Sequence, residues 1–99
     1  MAKLRVEWTP NAKIELSQNL DYINERWTDR ELKNFVSLLE KNISTIVLFP
    51  HIFPASSQNS NVRRCVVSKQ TSLYYKVEED RIIILSLFSN KQNPVALKL

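Results

Sequence analysis

The chain opens with a short period-2 pattern, followed by two long stretches with a helical period. Polar and apolar side chains alternate over residues 3–8, which is typical of a strand with one buried face. Over residues 10–26 and 28–47, apolar side chains recur every three or four positions, as along the buried side of an amphipathic helix. Thr9 and Thr28 stand where N-cap residues are expected. The pattern therefore predicts a strand and two helices, which form a hairpin because their link is short.

The second half of the chain contains three short apolar or alternating segments. They cover residues 62–68, 72–77 and 82–88, and they follow a stretch of residues 49–61 that carries two prolines and a polar run. We interpret residues 49–61 as a mobile connector. The third segment is continuously apolar, which is typical of a central strand covered on both faces. The prediction is a single α+β domain over residues 1–99, with the order β-α-α-β-β-β and a helical hairpin packed on a mostly antiparallel four-stranded sheet.

The composition excludes several classes of function. The chain has 99 residues, of which 43% are apolar and 24% charged, as expected of a soluble globular protein. It contains no glycine, which excludes the glycine-rich phosphate loops and the GxSxG nucleophile elbow. One histidine and one cysteine are too few for a usual zinc site, so we expect no metal and no cofactor. We find no export signal and no apolar run long enough for a membrane helix, so we expect a cytoplasmic protein with no membrane contact.

The positive charge is concentrated in the last third of the chain. The net charge is +4, and residues 62–99 hold seven basic and three acidic side chains, whereas residues 1–61 are balanced. Strand alternation places Tyr74 and Lys76 on the sheet face away from the helices. That face is a candidate surface for binding RNA or a protein target, or else a solvated face whose lysines discourage edge pairing. The candidate residues are Arg63, Arg64, Lys69, Tyr74, Lys76 and Lys91.

Other reactive side chains carry weaker signals. Cys65 and His51 are conceivable as a nucleophile and its base, but a lone cysteine in a predicted strand is typical of core packing. The acidic residues fall mostly on predicted helix surfaces, where we expect them to be solvated. They do not form a paired carboxylate site.

The order of elements and three segments carry a resemblance to a known family. The segments are Trp-Thr-Pro-Asn-Ala at 8–12, the strand–turn–strand stretch 72–85, and Asn-Lys-Gln-Asn-Pro at 90–94. Together they resemble the RelE/ParE superfamily of bacterial type II toxins over nearly the whole chain. The resemblance implies a small basic toxin that inhibits growth until a cognate antitoxin neutralises it. The tail of such an antitoxin folds on binding over the helices and the sheet of the toxin.

The superfamily divides by target. RelE-like members cut mRNA in the ribosome, with basic residues holding the scissile phosphate, whereas ParE-like members poison DNA gyrase and are not nucleases. The nuclease pattern has an arginine where Ser72 stands and a tyrosine near the C-terminus, and both are missing here. Arg63 or Arg64 and Lys91 fit its other basic positions, and they are the catalytic candidates if the chain is a nuclease.

These matches and gaps favour a ParE-like inhibitor that acts on a protein such as gyrase. The alternatives are a ribosome-dependent endoribonuclease with a divergent site and a degenerate member with little toxicity. Whether the chain is an enzyme therefore stays open. The sequence also leaves open which face of the second strand carries Arg63 and which carries Arg64, because a bulge would exchange them.

Overall fold

The backbone follows the order β-α-α-β-β-β in the computed structural model, which describes residues 4–89. The elements are β1 (Arg5–Trp8), α1 (Pro10–Arg26), α2 (Asp29–Leu48), β2 (Arg63–Ser68), β3 (Thr71–Val77) and β4 (Arg81–Ser89). The predicted order and the predicted helix bounds are confirmed to within a residue. Lys91 and the C-terminal tail, to which part of the sequence-based predictions refer, lie outside the described residues.

Both helices begin at a threonine cap. The Thr9 hydroxyl accepts a hydrogen bond from the Ala12 N–H at 3.1 Å, and Pro10 occupies the first helical position, where no N–H is needed. The Thr28 hydroxyl accepts from the Glu31 N–H at 3.2 Å. Each cap satisfies a backbone donor that the first helical turn leaves without a partner, so these threonines fix where the helices begin. Between residues 4 and 89, no helix is long and apolar enough to cross a membrane.

The four strands form one mixed sheet in the order β1-β4-β3-β2. β1 runs parallel to β4, while the β4–β3 and β3–β2 pairs are antiparallel. The sheet is therefore mostly antiparallel, as predicted, and β4 is a central strand. The β3–β4 register shifts between Tyr74, opposite Ser86, and Tyr75, opposite Ile84, which makes Leu85 the extra residue of a bulge.

The main core lies between the helical hairpin and one face of the sheet. Its most enclosed side chains include Ile46 from α2, Leu73 and Tyr75 from β3, and Ile84 from β4. A smaller cluster occupies the opposite face of the sheet. It consists of Val62, Tyr74 and Phe88, with Leu85 packed against them. This second cluster covers part of the face that the sequence suggested would be open.

Candidate functional site

Arg63 and Arg64 point to opposite faces of the sheet. Cys65 and Val67 are buried in the main core, whereas Arg64 and Val66 are exposed on the other side of β2. By strand alternation, Arg63 shares the side of the helices. Its guanidinium donates through Nη1 to the carbonyl oxygens of Phe53 at 2.7 Å and His51 at 3.2 Å. Arg63 is therefore occupied with the backbone of the preceding loop, and Arg64 is the arginine that faces solvent.

The long connector before β2 is anchored to that strand. Ala55 forms an isolated antiparallel bridge with Arg63, and the Arg64 N–H donates to the Pro54 carbonyl at 3.0 Å. Together with the Arg63 guanidinium, these bonds hold the connector beside β2 as a short added segment. The structure thus differs from our interpretation of residues 49–61 as a mobile connector, since hydrogen bonds tie part of the connector to β2. The composition of the connector does not indicate these bonds, because their partners lie on β2.

Tyr75 lies next to this anchor and acts as a hydrogen-bond donor. Its hydroxyl donates to the Pro50 carbonyl at 2.8 Å, and Arg63 is its cross-strand neighbour. Burial raises the pKa of Tyr75 to about 12, although the positive charge of Arg63 lowers it. The phenol therefore keeps its proton at neutral pH.

Cys65 is a core residue. Its side chain is fully buried, and the thiol donates to the Asn42 Oδ1 at 3.4 Å. Burial raises the pKa of the Cys65 thiol to about 11, so it is not a thiolate at neutral pH. The packing interpretation is confirmed over the nucleophile interpretation. Across residues 4–89, we also find no group of three or more potential metal ligands.

The exposed basic surface centres on Arg64. Arg64 and Val66 line a shallow depression of about 340 Å³ together with the anchored connector. The remaining lining residues are Phe53, Pro54, Ala55 and Ser57. We call this the Arg64 depression. The Val66 side chain is 53% exposed, so the depression combines an arginine with uncovered apolar surface.

The other predicted binding residues are dispersed. Tyr74 is only 7% exposed because it packs with Val62 and Phe88. We expected its ring to be open for stacking, but the packing covers it. Lys76 is half-buried opposite Ile83 on β4, and Lys69 is exposed in the turn between β2 and β3. Of these residues, the structure places only Tyr74 directly opposite Arg64 on the neighbouring strand.

The β1–β4 end of the sheet carries a network of ion pairs. Arg5 lies 3.1 Å from the Asp80 carboxylate, and Arg81 lies 3.1 Å from that of Glu7. These pairs match positive with negative charge on the strands farthest from β2. The surplus of positive charge is consequently smaller at this end than the sequence tally suggests.

Glu15 is a polar residue whose role the sequence analysis missed. It is half-buried, and its Oε1 accepts hydrogen bonds from Asn11 Nδ2 and Ser86 Oγ, both at 2.8 Å. We had expected the helix carboxylates to be solvated. Asn11, Glu15 and Asn19 recur at four-residue spacing, a polar stripe beside the apolar one, and that spacing is the signal from which a buried polar contact could have been predicted.

Glu15 and Asn19 line a cleft of about 420 Å³ between α1, the start of α2 and the end of the β3–β4 pair. We call it the α1–β4 cleft. Tyr22, Trp27 and Phe35 form its aromatic walls. Glu15 is the one acidic side chain among the described lining residues, and none of them is basic.

The arrangement of helices and strands is that of small toxins from bacterial toxin–antitoxin systems. The structure superimposes on the chromosomal ParDE system from P. aeruginosa with a TM-score of 0.72 at 16% identity, covering 88% of this chain and 96% of that chain. It matches the YoeB dimer from Staphylococcus aureus with a TM-score of 0.62 at 17% identity, covering 88% and 97%. The E. coli DinJ–YafQ complex gives a TM-score of 0.61 at 10% identity, covering 90% and 94%.

The sequence places the chain within this class. The family model that describes the ParE toxin of the type II toxin–antitoxin system parDE matches residues 6–94. The chain therefore belongs to the ParE toxin family, within the RelE/ParE superfamily that the sequence resembled. No curated protein matches it. It is a toxin of a type II toxin–antitoxin system, and the similar structures include both ParE and RelE-like toxins.

Proposed function

We propose that this toxin inhibits growth by binding a protein target, DNA gyrase, and that a cognate antitoxin neutralises it. The observation that carries the proposal is the engagement of Arg63, which donates to two loop carbonyls instead of facing solvent. Ser72, at the position where the superfamily's nucleases carry an arginine, is fully buried. Of the two arginines on β2 that fit the nuclease pattern, only Arg64 is therefore available to hold a scissile phosphate.

Proton transfer gives a second argument against nuclease chemistry. Cleavage by an RNA 2′-hydroxyl needs one group to take its proton and another to protonate the leaving oxygen. The pKa values of Tyr75 and Cys65 are about 12 and 11, so both groups are protonated at neutral pH and neither can take the proton of the 2′-hydroxyl. For its basic groups, a divergent ribosome-dependent endoribonuclease would have Arg64, Lys69 and Lys76, together with Lys91, which lies outside the described residues.

The Arg64 depression has the chemistry of a protein-binding surface. An exposed arginine beside uncovered apolar side chains is typical of the residues that dominate protein interfaces. Two further apolar residues of the same connector, Phe49 and Ile52, are more than half exposed, as is Leu48 at the end of α2. A surface with one strong donor and apolar patches suits a folded protein better than an RNA backbone, which is recognised by several cations at once.

An antitoxin partner is supported by the complexes in which similar folds occur. The chains that resemble this structure include those of the YoeB–YefM complex from Staphylococcus aureus and the DinJ–YafQ complex from E. coli. We extend this arrangement to the present toxin, and we expect the neighbouring reading frame to encode its antitoxin.

The test is induced expression without antitoxin, with DNA and protein synthesis followed by separate pulse labels during the first minutes. We expect DNA synthesis to fall first while translation continues, and purified toxin to inhibit supercoiling by gyrase. Arg64→Ala should relieve growth arrest, whereas Arg30→Ala, which removes an exposed arginine from α2, should not. A first collapse of translation with cleaved mRNA would favour the nuclease instead, and undisturbed growth would indicate a degenerate toxin.

A further inference from the structure

The α1–β4 cleft lies where β1 stops pairing with β4. The last β1–β4 pair is Trp8 with Ile84, and beyond it polar side chains of α1 reach the β4 backbone instead. Asn19 Nδ2 donates to the Leu87 carbonyl at 3.1 Å and to the Glu15 carbonyl at 2.8 Å. This amide nitrogen is therefore fully used, and the acceptor oxygen of Asn19, Oδ1, receives no hydrogen bond from residues 4–89.

Glu15 adds a second acceptor to the same cleft. The hydrogen bonds that Asn11 and Ser86 make with its carboxylate both fall on Oε1, and Oε2 receives none from residues 4–89. The two donors also restrict the carboxylate to one orientation, so its binding costs little further ordering. The cleft thus offers a carboxylate oxygen and an amide oxygen one helical turn apart, without a basic side chain among the described lining residues to compete for them.

Three aromatic side chains form walls of the α1–β4 cleft. Tyr22, Trp27 and Phe35 line the same cleft as these acceptors. The Arg26 guanidinium lies 4.7 Å from the centroid of the Tyr22 ring, so one face of this ring already stacks with a guanidinium of the toxin itself. A planar guanidinium donates several hydrogen bonds from one edge while its faces stack on aromatic rings. An ammonium group can use the acceptors, but it stacks less well.

We propose that the α1–β4 cleft binds an arginine side chain, with its flanking apolar residues, from an extended segment of the antitoxin. The site is separate from the Arg64 depression, since the two share no lining residue. The inference rests on the proposed neutralisation by an antitoxin, and it adds the chemistry of one contact. The toxin carries a net positive charge, but in the α1–β4 cleft it presents the Glu15 carboxylate. The charge complementarity with a basic partner residue is therefore confined to this cleft.

The first experiment uses a random peptide library displayed on phage and selected against the purified toxin. We expect the selected peptides to carry an arginine beside apolar residues. The best of them is then synthesised with arginine and with citrulline, its neutral near-isostere. Loss of the charged hydrogen bonds should weaken binding to the wild-type toxin by about 10- to 100-fold. Replacing arginine by citrulline should change the affinity for the Glu15→Gln toxin little, because this variant already lacks the carboxylate that the arginine would contact.

Glu40→Gln is the matched control, since it removes an exposed carboxylate from α2 that does not line the cleft. It should bind the arginine peptide as the wild type does. Equal binding of the arginine and citrulline peptides, selection of acidic peptides or selection of none would overturn the proposal. The proposal would also be overturned if the toxin self-associates and Glu15→Gln abolishes the self-association. That result would assign the cleft to a second copy of the chain.

The antitoxin is tested in cells with its own reading frame. Co-expressed antitoxin should protect against Glu15→Gln less well than against the wild type or Glu40→Gln. The Glu15→Gln toxin alone should arrest growth as before, which keeps this outcome separate from the question of the target. Full protection against all three would overturn the assignment to the antitoxin, whereas absence of growth arrest in the wild type would count against the proposed function.

Discussion

Replacing Arg63 by methionine should destabilise the fold, and the same change at Arg64 should not. The two arginines are adjacent in sequence, but Arg63 donates to the Phe53 and His51 carbonyls while Arg64 faces solvent. Methionine keeps most of the apolar stem and removes the donors. The bond to Phe53 is short and half-buried, so we assign it about 2 kcal/mol, the range of a hydrogen bond from a charged donor. The exposed bond to His51 adds little.

The assay is urea unfolding of the two purified variants, with thermal unfolding as a second measurement. A loss of about 2 kcal/mol corresponds to a fall in Tm of about 8 to 16 °C for a domain of this size. Arg64→Met should stay within about 0.5 kcal/mol of the wild type. Arg63→Lys should recover part of the loss, because it keeps a donor but not the fork. If Arg63→Met unfolds like the wild type, or if Arg64→Met is the less stable of the two, the Arg63 side chain does not stabilise the fold through the loop.

Three further outcomes follow from buried groups and caps. Because the pKa values of Cys65 and Tyr75 are raised to about 11 and 12, their neutral forms stabilise the fold. The stabilisation from these two groups should be constant below pH 9 and be lost between about pH 9 and 12, and in Cys65→Ala the loss should begin near pH 10, as measured by urea unfolding. The Cys65 thiol should react with a thiol reagent only as fast as the protein opens, whereas a rapid reaction would contradict its burial. Thr28→Ala should cost about 1 kcal/mol of unfolding free energy through loss of the cap.

The elements of the fold could be predicted from the sequence because each is specified locally. The threonine caps, the helical apolar stripes and the continuous apolar run of β4 are patterns within a few residues of one another. The antiparallel pairing of β2 with β3 and of β3 with β4 could be predicted because short turns connect these strands. The parallel β1–β4 pair depends on contacts across 76 positions of the chain, such as Arg5 with Arg81, and no local pattern encodes it. The bulge at Leu85 arises from a shift in register between β3 and β4, which the alternation within either strand does not indicate.

The candidate site was harder to predict because side-chain direction decides it. The sequence correctly placed Tyr74 and Tyr75 on opposite faces, but it could not indicate that Val62 and Phe88 would cover Tyr74. It identified Arg63 and Arg64 as candidates without separating them. What distinguishes the two arginines is that Arg63 donates to carbonyl oxygens of the connector, which we interpreted as mobile. These acceptors lie 10 and 12 positions from Arg63, and contacts at that separation leave no periodic pattern in the sequence.

The α1–β4 cleft illustrates how one such long-range feature creates a site. Because β1 is short, the second half of β4 has no strand neighbour on that side among residues 4–89, and unpaired backbone groups at a sheet edge need partners. Asn19 meets this need at Leu87, while Glu15 is held by Ser86, so polar side chains that looked like an ordinary solvated helix surface are drawn into a cleft. Asn19 Nδ2 spends its two hydrogens on the Leu87 and Glu15 carbonyls, and Glu15 uses one carboxylate oxygen as an acceptor, so acceptor oxygens are what these residues can offer the proposed ligand. The side chains that satisfy the β4 edge therefore leave acceptor oxygens in the α1–β4 cleft. A side chain with several donors, such as arginine, fits these oxygens best.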